Sequence, residues 1–202
     1  MAKEIRKVGV VGAGVIGGGM AAHLANAGIE VVLLDLQKET ADKTIQTMKD
    51  LATTRTKKGG KTDPFTDNFM VPENAQFITT GSVENDMVML GDCDMVIDAA
   101  LMPDEIRKKS YKLWAKHAPK DALFVSTTSA VTTDRLLTGQ AKAFKERFAI
   151  FHPFGPVKYM HGLELIAAPE TKPDIMETLQ KFGSERFGKK TIQTKDTTCF
   201  IV

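Results

Sequence analysis

The sequence predicts an α/β fold built on a doubly wound, mainly parallel sheet with antiparallel strands near its C-terminal end. Three observations carry this prediction. The apolar run Lys7-Val8-Gly9-Val10-Val11 breaks into Gly12-Ala13-Gly14-Val15-Ile16-Gly17 and then into a helical pattern. Further short strand patterns recur along the chain with helix-like segments between most of them, the alternation that gives parallel strands covered on both faces. Between Phe148 and Ala167 that alternation stops. Two strand patterns are joined there by a loop rich in proline and glycine, so this pair runs antiparallel.

The first unit is the most explicit. Gly12 allows a tight turn, Gly14 lets the backbone approach a pyrophosphate, and Gly17 lets the helix pack closely on the strand. With Ala13, Val15 and Ile16, these glycines form the turn whose helix amino terminus faces the phosphates. Met20, Ala21, Leu24 and Ala25 then recur at helical spacing. Gly28 ends the helix, and a second strand from Glu30 to Leu34 closes with Asp35. An acid about twenty positions after the glycines is placed to grip the adenosine ribose of a dinucleotide. The unit is Rossmann-type, with Gly12 to Gly17 and Asp35 as cofactor-binding residues. Asp35 also favours NAD over NADP, since its carboxylate would lie where the extra phosphate sits. Like charges about 4 Å apart repel by roughly 4 kcal/mol at an effective dielectric near 20. The attraction of Lys38 for that phosphate, as an exposed pair, is worth only about 0–1 kcal/mol.

Beyond this unit, Lys38 to about Thr54 reads as a helix, opening a helical excursion over about residues 38–72 that the polar stretch Lys57 to Pro64 interrupts. Strand patterns follow at Gln76 to Thr79, Met95 to Ala99, Leu123 to Ser126, Phe148 to Phe151, Leu163 to Ala167 and Thr191 to Gln193. Pro103 to Ala118 is the clearest of the later helices, with proline near its start, acids early and bases late. No internal repeat interrupts this order, so residues 1–202 are read as one domain.

Composition bounds the function. With 43% hydrophobic and 26% charged residues, a chain of 202 residues buries a full core. A formal net charge of +2 gives no electrostatic case for nucleic acid or membrane surfaces, which leaves small-molecule chemistry. Cys93 and Cys199 form no metal or redox spacing and read as buried structural residues. The charged lead runs directly into the first strand, and no apolar run is long enough to span a bilayer. The expectation is a cytoplasmic protein.

In the antiparallel pair, the end of the first strand and the start of the second come together, and those positions carry His152 and Glu164. A carboxylate beside an imidazole fixes its orientation and stabilises its cation, the standard arrangement for proton transfer. The same two residues also fit an ordinary structural contact.

The motifs extend from end to end of the chain. After the opening glycines come Ala22-His23-Leu24-Ala25-Asn26-Ala27-Gly28, Cys93-Asp94-Met95-Val96-Ile97-Asp98-Ala99 and Ser126-Thr127-Thr128-Ser129. These are followed by Phe151-His152-Pro153-Phe154-Gly155-Pro156, Leu163-Glu164-Leu165, Lys195-Asp196-Thr197 and Phe200-Ile201-Val202. In this order and spacing the chain resembles the amino-terminal domain of the L-3-hydroxyacyl-CoA dehydrogenases. The resemblance implies that His152 accepts the substrate hydroxyl proton while hydride passes to NAD, that Glu164 supports it, and that Ser129 contacts substrate and cofactor. It further implies an acyl-CoA substrate and a homodimer formed through an all-helical domain that this chain lacks.

The chain departs from the family pattern at four positions. Gly155 stands where the family has an asparagine that helps hold the reacting oxygen, and loss of such a donor costs about 100- to 1,000-fold in rate. Thr127 replaces another asparagine and Met102 a glutamate, while Arg107 keeps the charge of a lysine that serves the cofactor. Lys58, beside Lys57 and Lys61, aligns with a base near the CoA phosphate, although these lysines also read as a solvated polar turn. Two alternatives therefore stand beside a 3-hydroxyacyl-CoA dehydrogenase. One is an NAD-binding protein with weakened or lost catalysis, the other a dehydrogenase of a non-thioester hydroxy acid.

Overall fold

The computed structural model describes residues 3–58, 62–198 and 200. Eight strands form a sheet in the order β3-β2-β1-β4-β5-β6-β7-β8. They are β1 Lys7–Val11, β2 Glu30–Asp35, β3 Ile78–Ser82, β4 Met95–Asp98, β5 Leu123–Ser126, β6 Phe148–Pro153, β7 Gly162–Ala167 and β8 Lys190–Gln193. Strands β1 to β6 are parallel, β7 turns back against β6, and β8 runs parallel to β7. The order reverses on either side of β1, so the crevice above the C-terminal ends of β1 and β4 is the switch point where such sheets take ligands.

Alternation along the strands divides the core between two faces. Val8 and Val10 pack with Met20, Leu24 and Leu33 on the side of helix α1, Val15–Asn26. Val11 joins Leu34, Tyr111, Trp114 and Phe124 on the side of helix α3, Asp104–His117. Helices α4 Thr133–Leu137, α5 Lys142–Lys145 and α6 Pro173–Lys181 complete the two layers. Among the described residues, no helix is long and apolar enough to cross a membrane.

Several expected bounds shift. Helix α2 runs Lys38–Lys58, past the expected Thr54, while residues 62–71 are irregular. The third strand starts at Ile78 instead of Gln76, because a 3-10 turn, Pro72–Phe77, takes up the preceding residues. Pro72 at the start of that turn has the φ such a turn requires. The Asn74 side chain then fixes it by donating to Asn26 Oδ1 at 3.0 Å.

Candidate active site and cofactor cleft

β1 delivers the chain into the glycine loop, where Gly12, Gly14, Val15 and Ile16 line a cleft of about 760 Å³ at the switch point. Gly12 has φ +105°, and a Cβ there would lie 2.7 Å from the Ala100 backbone, so both turn and neighbouring loop require glycine. Beside Gly14 the space is open, with nothing within 4 Å of a Cβ position. Helix α1 begins here with no side-chain cap and no acid in its first turn. Its amino-terminal N–H groups and positive dipole end therefore suit an anion, and the loop fits a dinucleotide pyrophosphate. Thr44 of α2 secures the loop from behind, its hydroxyl donating to the Ala13 carbonyl at 2.9 Å.

Asp35, at the end of β2, lines the same cleft. Its carboxylate accepts the Ala13 N–H at 2.6 Å and the Leu36 N–H at 2.8 Å. A carboxylate offers about four lone-pair sites, so these bonds leave capacity for ribose hydroxyls. Asp35 thus joins the second strand to the glycine loop, a tie not foreseen from the sequence.

The floor of the cleft holds a buried polar cluster that the sequence reading missed. Asp98 closes β4 as Asp35 closes β2, and this repeated position of an acid after an apolar strand was the available signal. Its carboxylate accepts from Tyr111 at 2.7 Å, Ser126 at 3.1 Å and the Ala100 N–H at 3.3 Å, and pairs with Arg107 Nε at 2.9 Å. Burial raises the Asp98 pKa against the opposing effect of Arg107, and burial with the Asp98 charge drives that of Tyr111 well up. Arg107 borders the cleft but is directed at the protein. Besides Asp98 it donates to the Ala100 carbonyl at 3.0 Å and lies 3.7 Å from Asp104.

Across the sheet, His152 and Glu164 are directly opposed in the β6–β7 register. His152 Nδ1 lies 2.7 Å from Glu164 Oε2. The glutamate side chain is fully buried while 20% of the histidine side chain is exposed. With Nδ1–H donated to the carboxylate, Nε2 carries the lone pair, the tautomer a general base requires. Phe154 and Phe200 flank the imidazole edge-on at 6.0 and 5.8 Å.

The family described as "3-hydroxyacyl-CoA dehydrogenase, NAD binding domain" matches residues 7–197. The chain belongs to this family. NAD is accordingly its cofactor. A probable 3-hydroxyacyl-CoA dehydrogenase of Bacillus subtilis is 35% identical over 215 residues, covering 100% of this chain and 26% of that protein. A 3-hydroxybutyryl-CoA dehydrogenase of Bradyrhizobium diazoefficiens is 30% identical over 203 residues, covering 100% and 65%. Among solved structures, (S)-3-hydroxybutyryl-CoA dehydrogenase of Ralstonia eutropha superposes with a TM-score of 0.83 at 27% identity, covering 98% of this chain and 66% of that one. The chain therefore spans between about a quarter and two thirds of the length of these relatives.

The remaining expected positions of this NAD-binding domain fall unevenly. Ser129 sits half-buried in the loop after β5, beside Thr127 and Thr128 of the cleft wall. Thr127 donates to the Asp98 carbonyl at 3.2 Å, and Met102 lines the cleft. Lys58 ends α2, but its side chain and that of Lys57 lie outside the described residues, as do Lys61, Cys199 and Val202. The excursion supplies contacts that the sequence did not suggest. Asp67 is completely buried and pairs with Arg55 of α2 at 2.7 Å. Lys158, from the loop after His152, donates to the Asp67 and Phe69 carbonyls at 3.1 and 3.0 Å. Lys189 holds the same loop from below through the carbonyls of Val157 and Met160.

Proposed function

We propose that this domain carries the chemistry of an NAD-dependent dehydrogenase interconverting 3-hydroxyacyl-CoA and 3-ketoacyl-CoA, with His152 as the general base. The carrying observation is the 2.7 Å pair of His152 and Glu164, in a chain of this family. Bound NAD supplies the hydride acceptor. His152 Nε2 takes the 3-hydroxyl proton, and the buried Glu164 carboxylate orients the ring through Nδ1 and stabilises the imidazolium that results. Gly12 to Gly17 hold the pyrophosphate at the amino terminus of α1, and Asp35 takes the ribose. Ser129 contacts the substrate beside the cleft, Arg107 supports the cofactor by fixing the Ala100 loop, and Lys58 serves the CoA end. The same reading carries an acyl-CoA thioester as substrate and a homodimer as the working form.

A second reading, an NAD-binding protein with weakened catalysis, draws on Gly155, which lacks a polar group and has Phe65 and Ile16 as neighbours. One experiment separates the two. NADH absorbance is followed with a short 3-ketoacyl-CoA for the native chain and His152→Ala, alongside NADH binding by fluorescence. General-base loss is expected to cut turnover by about 100- to 10,000-fold with NADH affinity intact. A chain that binds NADH without turnover would favour the second reading.

A further inference from the structure

The irregular segment 62–71 meets the loop after His152 at a residue that has no side chain. A Cβ on Gly155 would lie 3.3 Å from Cε1 of Phe65 and 3.6 Å from Cδ1 of Ile16. The first distance is inside an ordinary carbon contact of about 3.5–4.0 Å, so the phenyl ring stands where a larger residue 155 would need room. Phe65 is held in place at both ends of its peptide. Its N–H donates to Asp63 Oδ1 at 3.1 Å, and its carbonyl accepts from Asn68 Nδ2 at 2.8 Å. Two residues further on, Asp67 is anchored to Arg55, and Lys158 crosses from the Gly155 loop to the backbone of the same segment. Ring and glycine are therefore fixed relative to one another by a common set of bonds. Ile16 belongs to the cofactor cleft, and Gly155 lies three residues beyond His152. The ring thus sits on the His152 loop at the residue that Ile16 of the cofactor cleft also meets, with 44% of Phe65 still exposed.

We infer that Phe65 is a specificity-determining residue. Seated on Gly155, it forms an apolar wall between the glycine loop and the His152 loop that limits the length of acyl chain the site accepts. The inference rests on the dehydrogenase reading above and names the side chain that sets its substrate range. Gly155 acquires a role of its own, since the missing side chain makes room for the ring. An apolar wall discriminates among chains by about 10- to 200-fold for each methylene it admits or refuses.

The test is calorimetric binding of four-carbon and ten-carbon 3-ketoacyl-CoA to the chain in the presence of NAD⁺, for the native protein and Phe65→Ala. The native protein is expected to prefer the shorter thioester, and removal of the ring to shift the ratio toward the longer one by about tenfold or more. NADH affinity should be unchanged. An unaltered ratio overturns the inference. Melting temperatures of Gly155→Asn, alone and combined with Phe65→Ala, check the seating without substrate. The asparagine should lower the melting temperature much less once the ring is gone, and equal losses in both backgrounds overturn it. If NADH binds but neither thioester does, the dehydrogenase reading fails and the acyl wall with it. Thioester binding with an unaltered ratio overturns the role of Phe65 alone.

Discussion

His23 shows how burial sets the charge of a single side chain. Nε2 lies 2.9 Å from the Phe187 carbonyl, while Nδ1 is buried without a hydrogen-bond partner among the described residues. A proton on Nδ1 would place an unpaired cation near the Lys189 ammonium. Burial first, and then Lys189, lower the pKa from 6.5 to about 4. Between those values the unfolded chain holds a proton that the folded chain refuses. The resulting stability is complete above pH 6.5 and is lost as pH falls toward 4, about 3 kcal/mol in all. Urea unfolding at pH 7 and pH 4.5 should show a markedly smaller loss for His23→Gln than for the native chain, and parallel losses would refute a neutral, buried imidazole. Arg107 illustrates a second point, that a cation bordering the cleft is also paired with an internal acid. Arg107→Met leaves Asp98 buried without its cation, and the expected cost is about 3–5 kcal/mol in urea. Weaker NADH binding with unchanged stability would instead return Arg107 to direct contact with the cofactor.

Elements in this molecule trade intrinsic preference for contact. Helix α1 carries Gly17, Gly18 and Gly19 in succession, each costing about 1 kcal/mol relative to alanine. At Gly17 close approach demands glycine despite that cost, since a Cβ there would lie 1.8 Å from the Gly12 carbonyl oxygen, inside any tolerable contact. The segment 62–71 has the opposite character, with little regular structure of its own and a buried acid that ties it down. Asp67→Ala leaves Arg55 and Lys158 without that carboxylate. Because Arg55 keeps 31% exposure, the lower end of the range for breaking a buried pair applies, about 3 kcal/mol. Urea unfolding measures the loss, and amide exchange should quicken in residues 65–70 before the sheet. Unchanged stability would mean that the segment is held by its apolar contacts alone. The element order was legible in the sequence because strand and helix periods are local. The anchoring of 62–71 was not, since Asp67 meets Lys158 across 91 residues and nothing in either local pattern announces the encounter.

At the scale of the whole molecule, the described residues form one sheet with an apolar layer on each face, and Cys93 reports on its integrity. It is fully buried, and burial, reinforced by Asp92, pushes its thiol up to about 12. In a Cys199→Ser background, a thiol reagent at pH 8 should label Cys93 only as fast as the chain unfolds. Rapid labelling of the folded protein would contradict the closed core. The sequence by itself determined the sheet, the glycine turn with its terminal acid, and the antiparallel return that sets His152 opposite Glu164. Each of these depends on short spacings whose geometry the backbone fixes. Tertiary structure alone decided that Arg107 turns to Asp98, that Asp67 locks the excursion to the His152 loop, and that Phe65 rests on Gly155. These are meetings between side chains from distant segments, and a residue has the same charge and volume in the sequence whichever neighbour the fold brings to it.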